Sequence, residues 1–294
     1  MVFNGLPEVF EDRVHNAELY MQKRIYDSLQ FLSILPMEQN ETGLFSNYIH
    51  GDVDVGKPRY TNNGITFNEI KFGQGKTVGG QTLPLGFMYN ASTRNKQKGT
   101  YESDLLSFYN ASVVQFADFY EAEFAKSILK GGRQSSVELD DWDTAEHIIG
   151  NEETLDDEMR YDSKDNRTGF APNTAIVSRK TKLDIDHALR IEKYESNWNY
   201  ISSNRLPDGA FAIFDSFNPG ANIQKYADPD YSIVQSLEDN DVDLTTEEGE
   251  PVPKAFINMD VRSDRRPQNE EHYVWAEANL NMRDSNGFLI VTGK

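Results

Sequence analysis

The strongest periodic signal in the chain lies between residues 101 and 130. Leu105, Tyr109, Val113, Phe116, Tyr120, Phe124 and Ile128 step by four, four, three, four, four and four, which sets them on one face of a helix. Thr100 suits the cap, Glu102 and Asp104 the positive end, and Lys126 and Lys130 the negative end, with Gly131-Gly132 as the stop. At about 1.5 Å per residue the predicted rod is about 45 Å long, which is long for a compact domain. Its aromatic stripe predicts core packing rather than a cofactor box. A second helical pattern runs over residues 7 to 32 through Phe10, Val14, Ala17, Tyr20, Ile25, Leu29 and Leu32, with Pro7 in the first turn. Two readings of it stay open: an amphipathic helix on its own core, or an arm on a neighbouring subunit.

The period changes to two between residues 59 and 90. Ile65 and Phe67 alternate with polar residues, as do Ile70 and Phe72 after a slip of one residue that suggests a bulge. Leu83, Leu85, Phe87 and Tyr89 alternate again, and Asn62-Asn63-Gly64, Gly73-Gln74-Gly75-Lys76 and Gly79-Gly80 supply turns. The prediction is a long, polar, glycine-rich hairpin in which Pro84 marks an edge strand. So flat a ribbon cannot be stable alone and must lie on its own domain or on another chain.

Beyond Pro172 the elements are short and mixed. Residues 174 to 178 read as a strand and 182 to 191 as a helix, and Asp208-Gly209 leads into the apolar run from Ala210 to Phe214. Val274, Ala276, Ala278, Leu280 and Met282 alternate, Asn286-Gly287 turns, and Phe288-Leu289-Ile290-Val291 closes the chain as a final strand. No internal repeat or low-complexity linker interrupts this order. It describes an α+β chain with extended appendages.

Composition narrows the function. The 294 residues include no cysteine, which removes disulfides, thiolate metal sites and a cysteine nucleophile. No apolar run approaches the length of a membrane span. The opening residues lack a basic n-region and an apolar h-region, so no signal peptide is expected. The formal charge of −19 argues against electrostatic binding to nucleic acid or anionic lipid. That charge is concentrated: residues 138 to 165 hold twelve acids and residues 238 to 250 hold seven. Blocks of this kind are usually solvated surface.

Candidate chemistry is sparse. The five histidines stand in no metalloprotease spacing, and no GxSxG occurs. Gly75-Lys76-Thr77 fails the phosphate-loop spacing, because Lys71 and Ile70 stand where the first glycine would be needed. Asp-x-Asp pairs recur at 52/54, 141/143, 184/186, 228/230 and 239/241/243, so a divalent cation is considered. The weak metal candidate is Asp239, Asp241, Asp243 and Glu250, with Thr245 and Glu247 also at calcium-loop positions, but Leu244 stands where that loop needs glycine. Four Asn-x-Ser/Thr sequons, at Asn40, Asn90, Asn110 and Asn166, carry no meaning without a secretory signal. No catalytic or cofactor-binding residue is assigned, and the chain is not expected to be an enzyme.

The order of arm, hairpin, rod, mixed domain and closing strands resembles the HK97-like major capsid proteins of tailed double-stranded DNA viruses. Residues 59 to 90 resemble the E-loop. Tyr101 to Gly132, with Leu105-Leu106-Ser107-Phe108-Tyr109, resembles the spine helix and its exit. Gly169-Phe170-Ala171-Pro172-Asn173-Thr174-Ala175-Ile176-Val177-Ser178 is similar to the strand that follows the first A-domain helix, which would be Ala145 to Leu155. Asp208 to Asp215 resembles the later A-domain strand, and Tyr273 to Val291 the closing P-domain strands. The resemblance implies an N-terminal arm over 1–45, an E-loop hairpin with its P-domain entry over 46–95, a P-domain spine helix over 96–137, an A domain over 138–260 and P-domain closing strands over 261–294.

The function so implied is a shell protein forming hexamers and pentamers around double-stranded DNA, held by confinement without sequence-specific contacts. Its partners would be further copies of itself, with scaffold, portal and decoration proteins, and no membrane. Its location would be the virion capsid, assembled in the host cytoplasm. The short arm implies a separate scaffold or none, and Lys71 and Lys76 in the hairpin do not predict crosslinks. An encapsulin-like compartment is the alternative within the fold. An acidic, divalent-ion-dependent enzyme or binding module is the alternative outside it. Repulsion among many acidic copies would be screened at high salt, where the Debye length is about 3 Å at 1 M, so a halophilic archaeal host is expected.

Overall fold

The computed structural model describes residues 20–40, 42–49, 53–55, 70–72, 76–92, 101–161, 167–226, 256–263 and 269–292. They fall into two compact units, each assembled from separated stretches of chain.

The first unit is built around a sheet and the first three-quarters of the long helix. Its sheet runs β1 (Met37–Asn40), β11 (Ala221–Tyr226), β13 (Asn269–Met282), β12 (Asn258–Ser263), with β6 (Leu83–Ser92) also paired to β13. β6 and β12 are both antiparallel to β13, and β1 lies parallel to β11. Pro84 is tolerated because β6 has β13 as its single partner strand among the described residues. The predicted rod is helix α3 (Tyr101–Gly131), of 31 residues. Tyr109, Val113, Phe116 and Tyr120 are buried as the stripe requires. Phe116 meets Phe87 edge-on at 5.1 Å, and Tyr120 meets Phe256 in the same way at 5.1 Å. The Tyr120 hydroxyl reaches the strands themselves, 2.7 Å from the carbonyls of Leu83 and Ala276. Burial raises its pKa, so it remains a donor.

The predicted helix over 7 to 32 differs in the described part. Helix α1 covers residues 20–28 in the described part, the helix is interrupted at Leu29 and Gln30, and a single turn, α2 (Phe31–Ile34), follows. Met21, Ile25, Leu29, Phe31 and Leu32 are buried in this unit, which favours the own-core reading for residues 20–35. Residues 1–19 lie outside the described residues. Gln22, fully buried on the apolar face of α1, acts as a strand edge: its Oε1 accepts the amides of Phe256 at 2.8 Å and Ile257 at 3.1 Å, and its Nε2 donates to the Ile257 carbonyl. Without those bonds two buried amides at the entry to β12 would lack a partner.

The second unit centres on a mixed sheet in the order β7 (Arg133–Ser135), β14 (Phe288–Thr292), β10 (Ala210–Phe214), β8 (Thr174–Ser178), β9 (Asn199–Ser203). β10 is antiparallel to both β14 and β8, and β8–β9 and β14–β7 are parallel. The parallel β8–β9 pair needs a crossover, and α5 (Arg179–Glu192) supplies it, capped by Ser178 and ended by Lys193 in a left-handed conformation. β8 and β10 are buried at every position, matching the unbroken apolar sequence of β10 and the Ala-Ile-Val centre of β8. Ile148, Leu155 and Met159 of α4 (Ala145–Arg160) join Ile185, Val177, Phe211, Ile213 and Leu289 in one core.

Three expectations change here. The helix expected over Ala145 to Leu155 continues to Arg160, where the Arg133 guanidinium donates to the carbonyls of Glu158 and Tyr161 and satisfies the open helix end. The helix expected from 182 starts at Arg179. The acidic run is not wholly solvated: Glu152 is buried, accepting hydrogen bonds from Ser196 and from Tyr200 at 2.6 Å, and Tyr200 is pushed up in pKa by burial and by that carboxylate. The final strand, β14, pairs with β10 and β7. Gly131 and Gly132 also end the helix for a different reason. Neither has positive φ; a Cβ on them would come within 2.8 Å of Met282 and 2.7 Å of Ile290.

Candidate assembly surface

No described cluster of polar side chains converges on a reactive centre, so function is sought in what the surface presents. The first feature is the ribbon. β2 (Leu44–Ile49) pairs with β5 (Lys76–Gln81), and β3 (Val53–Val55) pairs antiparallel with β4 (Ile70–Phe72), Val53 opposite Phe72 and Val55 opposite Ile70. Among the described residues, 44–49 and 53–55 thus pair with 76–81 and 70–72 in a ribbon two strands wide. The alternation over 59 to 90 includes Ile70 and Phe72 of β4, while residues 46–55 enter the hairpin only through the range 46–95 that the resemblance implies. The sequence reading took Leu83 to Tyr89 as ribbon, whereas β6 is a strand of the first unit's sheet. At the ribbon's base Gly80 leaves room for Phe45, whose ring would meet a Cβ at 2.5 Å.

The second feature is exposed apolar surface on each unit. In the first, alternate residues of β6 face outward, Pro84, Gly86, Met88 and Asn90, with Met88 57% exposed. On the outer side of α3, Ser103, Leu106, Ser107, Ala111, Val114 and Gln115 are exposed and uncharged over three turns, in a chain of charge −19. In the second unit Leu183 and Ile191 stand out from α5, and Phe217 projects from the turn after β10. None of these was singled out from sequence, because an apolar residue at a helical or turn position carries no mark of which side faces water.

The residues singled out for chemistry fall as follows. Asp239, Asp241, Asp243 and Glu250 lie outside the described residues, as do Asn166, Asp228 and Asp230. Lys76 and Thr77 open strand β5, so no helix follows the Gly-Lys-Thr as a phosphate loop would require. Asp143 pairs with His147 at 2.9 Å and holds that imidazole above its ordinary pKa, and Asp186 pairs with Lys182 at 3.1 Å. Asn40 donates to Leu44 and Gln224, and Asn110 accepts from the Tyr20 hydroxyl at 2.7 Å. Among the described residues no helix is long and apolar enough to cross a membrane.

This order of ribbon, long helix and two sheets occurs in solved structures. The chain superposes on the virus-like particle protein of Pyrococcus furiosus with a TM-score of 0.55 at 11% identity, over 92% of this chain and 97% of that one. The fold is HK97-like. A capsid protein of Myoviridae phage XM1 gives a TM-score of 0.52 at 11% identity, over 90% of this chain and 92% of that one. The encapsulin of the holo-SrpI complex from Synechococcus elongatus PCC 7942 gives 0.53 at 7% identity, over 90% and 86%. No family model and no curated protein matches the sequence. At these identities the likeness establishes the HK97-like fold, whose α+β class and order of elements are those the sequence resemblance implied.

Proposed function

We propose that this chain is the major capsid protein of a tailed double-stranded DNA virus, assembling as hexamers and pentamers into an icosahedral shell that forms the virion capsid. The observation that carries the reading is the extent of the HK97-like match, nine-tenths or more of this chain against nine-tenths or more of two particle-forming chains. The ribbon supports it, because a hairpin two strands wide gains stability by lying on a neighbour. The role is structural rather than catalytic, and the packaged DNA is confined rather than gripped, which suits a charge of −19. Scaffold, portal and decoration proteins are the further partners this role entails.

The likeness to the cyanobacterial encapsulin favours one second reading, a compartment around protein cargo. Negative-stain microscopy of the expressed chain should show closed shells or ring-shaped capsomers. Monomers alone, at every salt concentration and with candidate scaffolds present, would overturn both readings. In particles taken from producing cells, nuclease-protected DNA supports the capsid and an enclosed protein cargo supports the compartment.

The acid content adds a condition. Copies of so acidic a chain repel, and concentrated salt shortens that repulsion to about 3 Å at 1 M. We expect shells to be stable in molar salt and to dissociate on dialysis to low salt without divalent ions, in keeping with a virus of a halophilic archaeon. Shells that stay intact through that dialysis, followed by light scattering, would remove the halophilic reading.

A further inference from the structure

Phe217 is 92% exposed, yet its backbone is firmly held. It lies in the turn Asp215–Gly220 between β10 and β11. The buried Asp215 carboxylate accepts the Phe217 amide at 2.9 Å through one oxygen and the Ala171 amide at 3.2 Å through the other. The Asp215 carbonyl accepts the Asn218 amide at 3.2 Å, and Asn173 Oδ1 accepts the Ser216 amide at 2.9 Å. At the far end the Gly220 carbonyl accepts the amides of Arg283 at 2.8 Å and Asp284 at 2.9 Å. The turn is pinned at both ends by the body of its own unit, and the ring is left in water.

A lone apolar residue on a loose loop would need no account. One displayed on a fixed turn is different, because binding through it requires little further ordering of backbone. Aromatic rings presented in this way are the residues that dominate protein interfaces. The displayed residues Ser216, Phe217 and Asn218 are also uncharged. Two copies of a chain at −19 repel wherever charged surface meets charged surface, so they approach best at uncharged points.

We propose that Phe217 is an assembly anchor whose ring is buried by a second copy of this chain. The inference rests on the shell reading above. Because the chain has no cysteine, F217C provides a single thiol. It should react with a bulky maleimide freely in unassembled protein, and at least about tenfold more slowly in shells made from this chain alone. In F217W, whose indole keeps an aromatic ring at the site, emission should shift to the blue on assembly. F217S should raise the concentration needed for half-maximal assembly by about tenfold or more while leaving the melting of the unassembled chain unchanged.

Wild-type protein that forms no shells would remove the shell reading, and this inference with it. Where wild type forms shells, F217C or F217W shells in which position 217 is as reactive, or as red in emission, as in the unassembled variant would overturn the anchor alone. So would protection that appears only after a different protein is added.

Discussion

Replacing Tyr120 by alanine is expected to destabilise the unassembled chain by about 3–5 kcal/mol, the range for removing a large buried aromatic. The side chain is fully buried, and its ring contacts Phe256 and Phe119 edge-on, each at 5.1 Å. Its hydroxyl stands 2.7 Å from two backbone carbonyls, Leu83 of β6 and Ala276 of β13. A phenol has one hydrogen, so the two acceptors share it. Tyr120→Phe keeps the ring and removes that donor, and should cost about 1–3 kcal/mol for the buried acceptors left without it. The two variants thus separate packing from hydrogen bonding. Urea denaturation measured on unassembled protein checks both, and a Tyr120→Phe midpoint equal to wild type would show that the hydroxyl contributes nothing. The phenol stays protonated at any pH where the chain folds, because burial raises its pKa, so these effects should not vary between neutral and mildly alkaline pH.

Tyr120 also shows what was legible in the sequence. Its place in the α3 stripe follows from a helical period sustained over seven apolar residues, which random sequence rarely provides. The destination of its hydroxyl does not, since two strands distant in sequence make the acceptors. Gln22 is the same case in reverse: a polar residue on an apolar helical face that satisfies backbone amides more than 230 residues away. The unbroken apolar run Phe288 to Val291 marks a strand buried on both faces, but not which strands flank it. Pairing with β10 and β7 depends on tertiary placement. The outgoing half of the ribbon shows no pattern of its own, because Val53 and Val55 are too short an alternation to stand out from the polar residues around them.

The assembly surface was the least legible part. Burial is a property of neighbours, so the exposure of Met88, Val114 and Phe217 appears only once the chain is folded. The HK97-like fold, by contrast, was readable from the order of its elements, and this is consistent with a fold held by relatives at 7 to 11% identity. At such distances few individual residues are shared, while the fold matches over nine-tenths of this chain. The charge plays a similar part. Its total bears on the kinds of partner expected, and the residues displayed at the tip of the Phe217 turn, Ser216 to Asn218, carry none of it.

That turn depends on a backbone crossing, and breaking it should have the second large effect. A Cβ on Gly287 would lie 2.7 Å from the Gly220 Cα and 2.7 Å from the Pro219 carbonyl oxygen. Both obstacles are backbone, so no side-chain rotation relieves them. Gly287→Ala is expected to cost about 1–3 kcal/mol as an overpacked site with little room to adjust. Gly220→Ala meets the same crossing, its Cβ 2.7 Å from the Gly287 Cα, and must also hold an alanine at φ +64, which adds about 1–2 kcal/mol for the left-handed conformation. Gly169→Ala is the internal control. Its φ of +86 imposes the left-handed strain alone, because nothing stands within 4 Å of the added Cβ. The difference between the two alanine variants in a thermal or urea melt therefore isolates the crossing, and equal losses at positions 169 and 220 would show that the close approach carries no energy. The crossing also fixes the turn, since the Gly220 carbonyl accepts the amides of Arg283 and Asp284. Gly220→Ala should therefore lower assembly at temperatures where the chain is still folded.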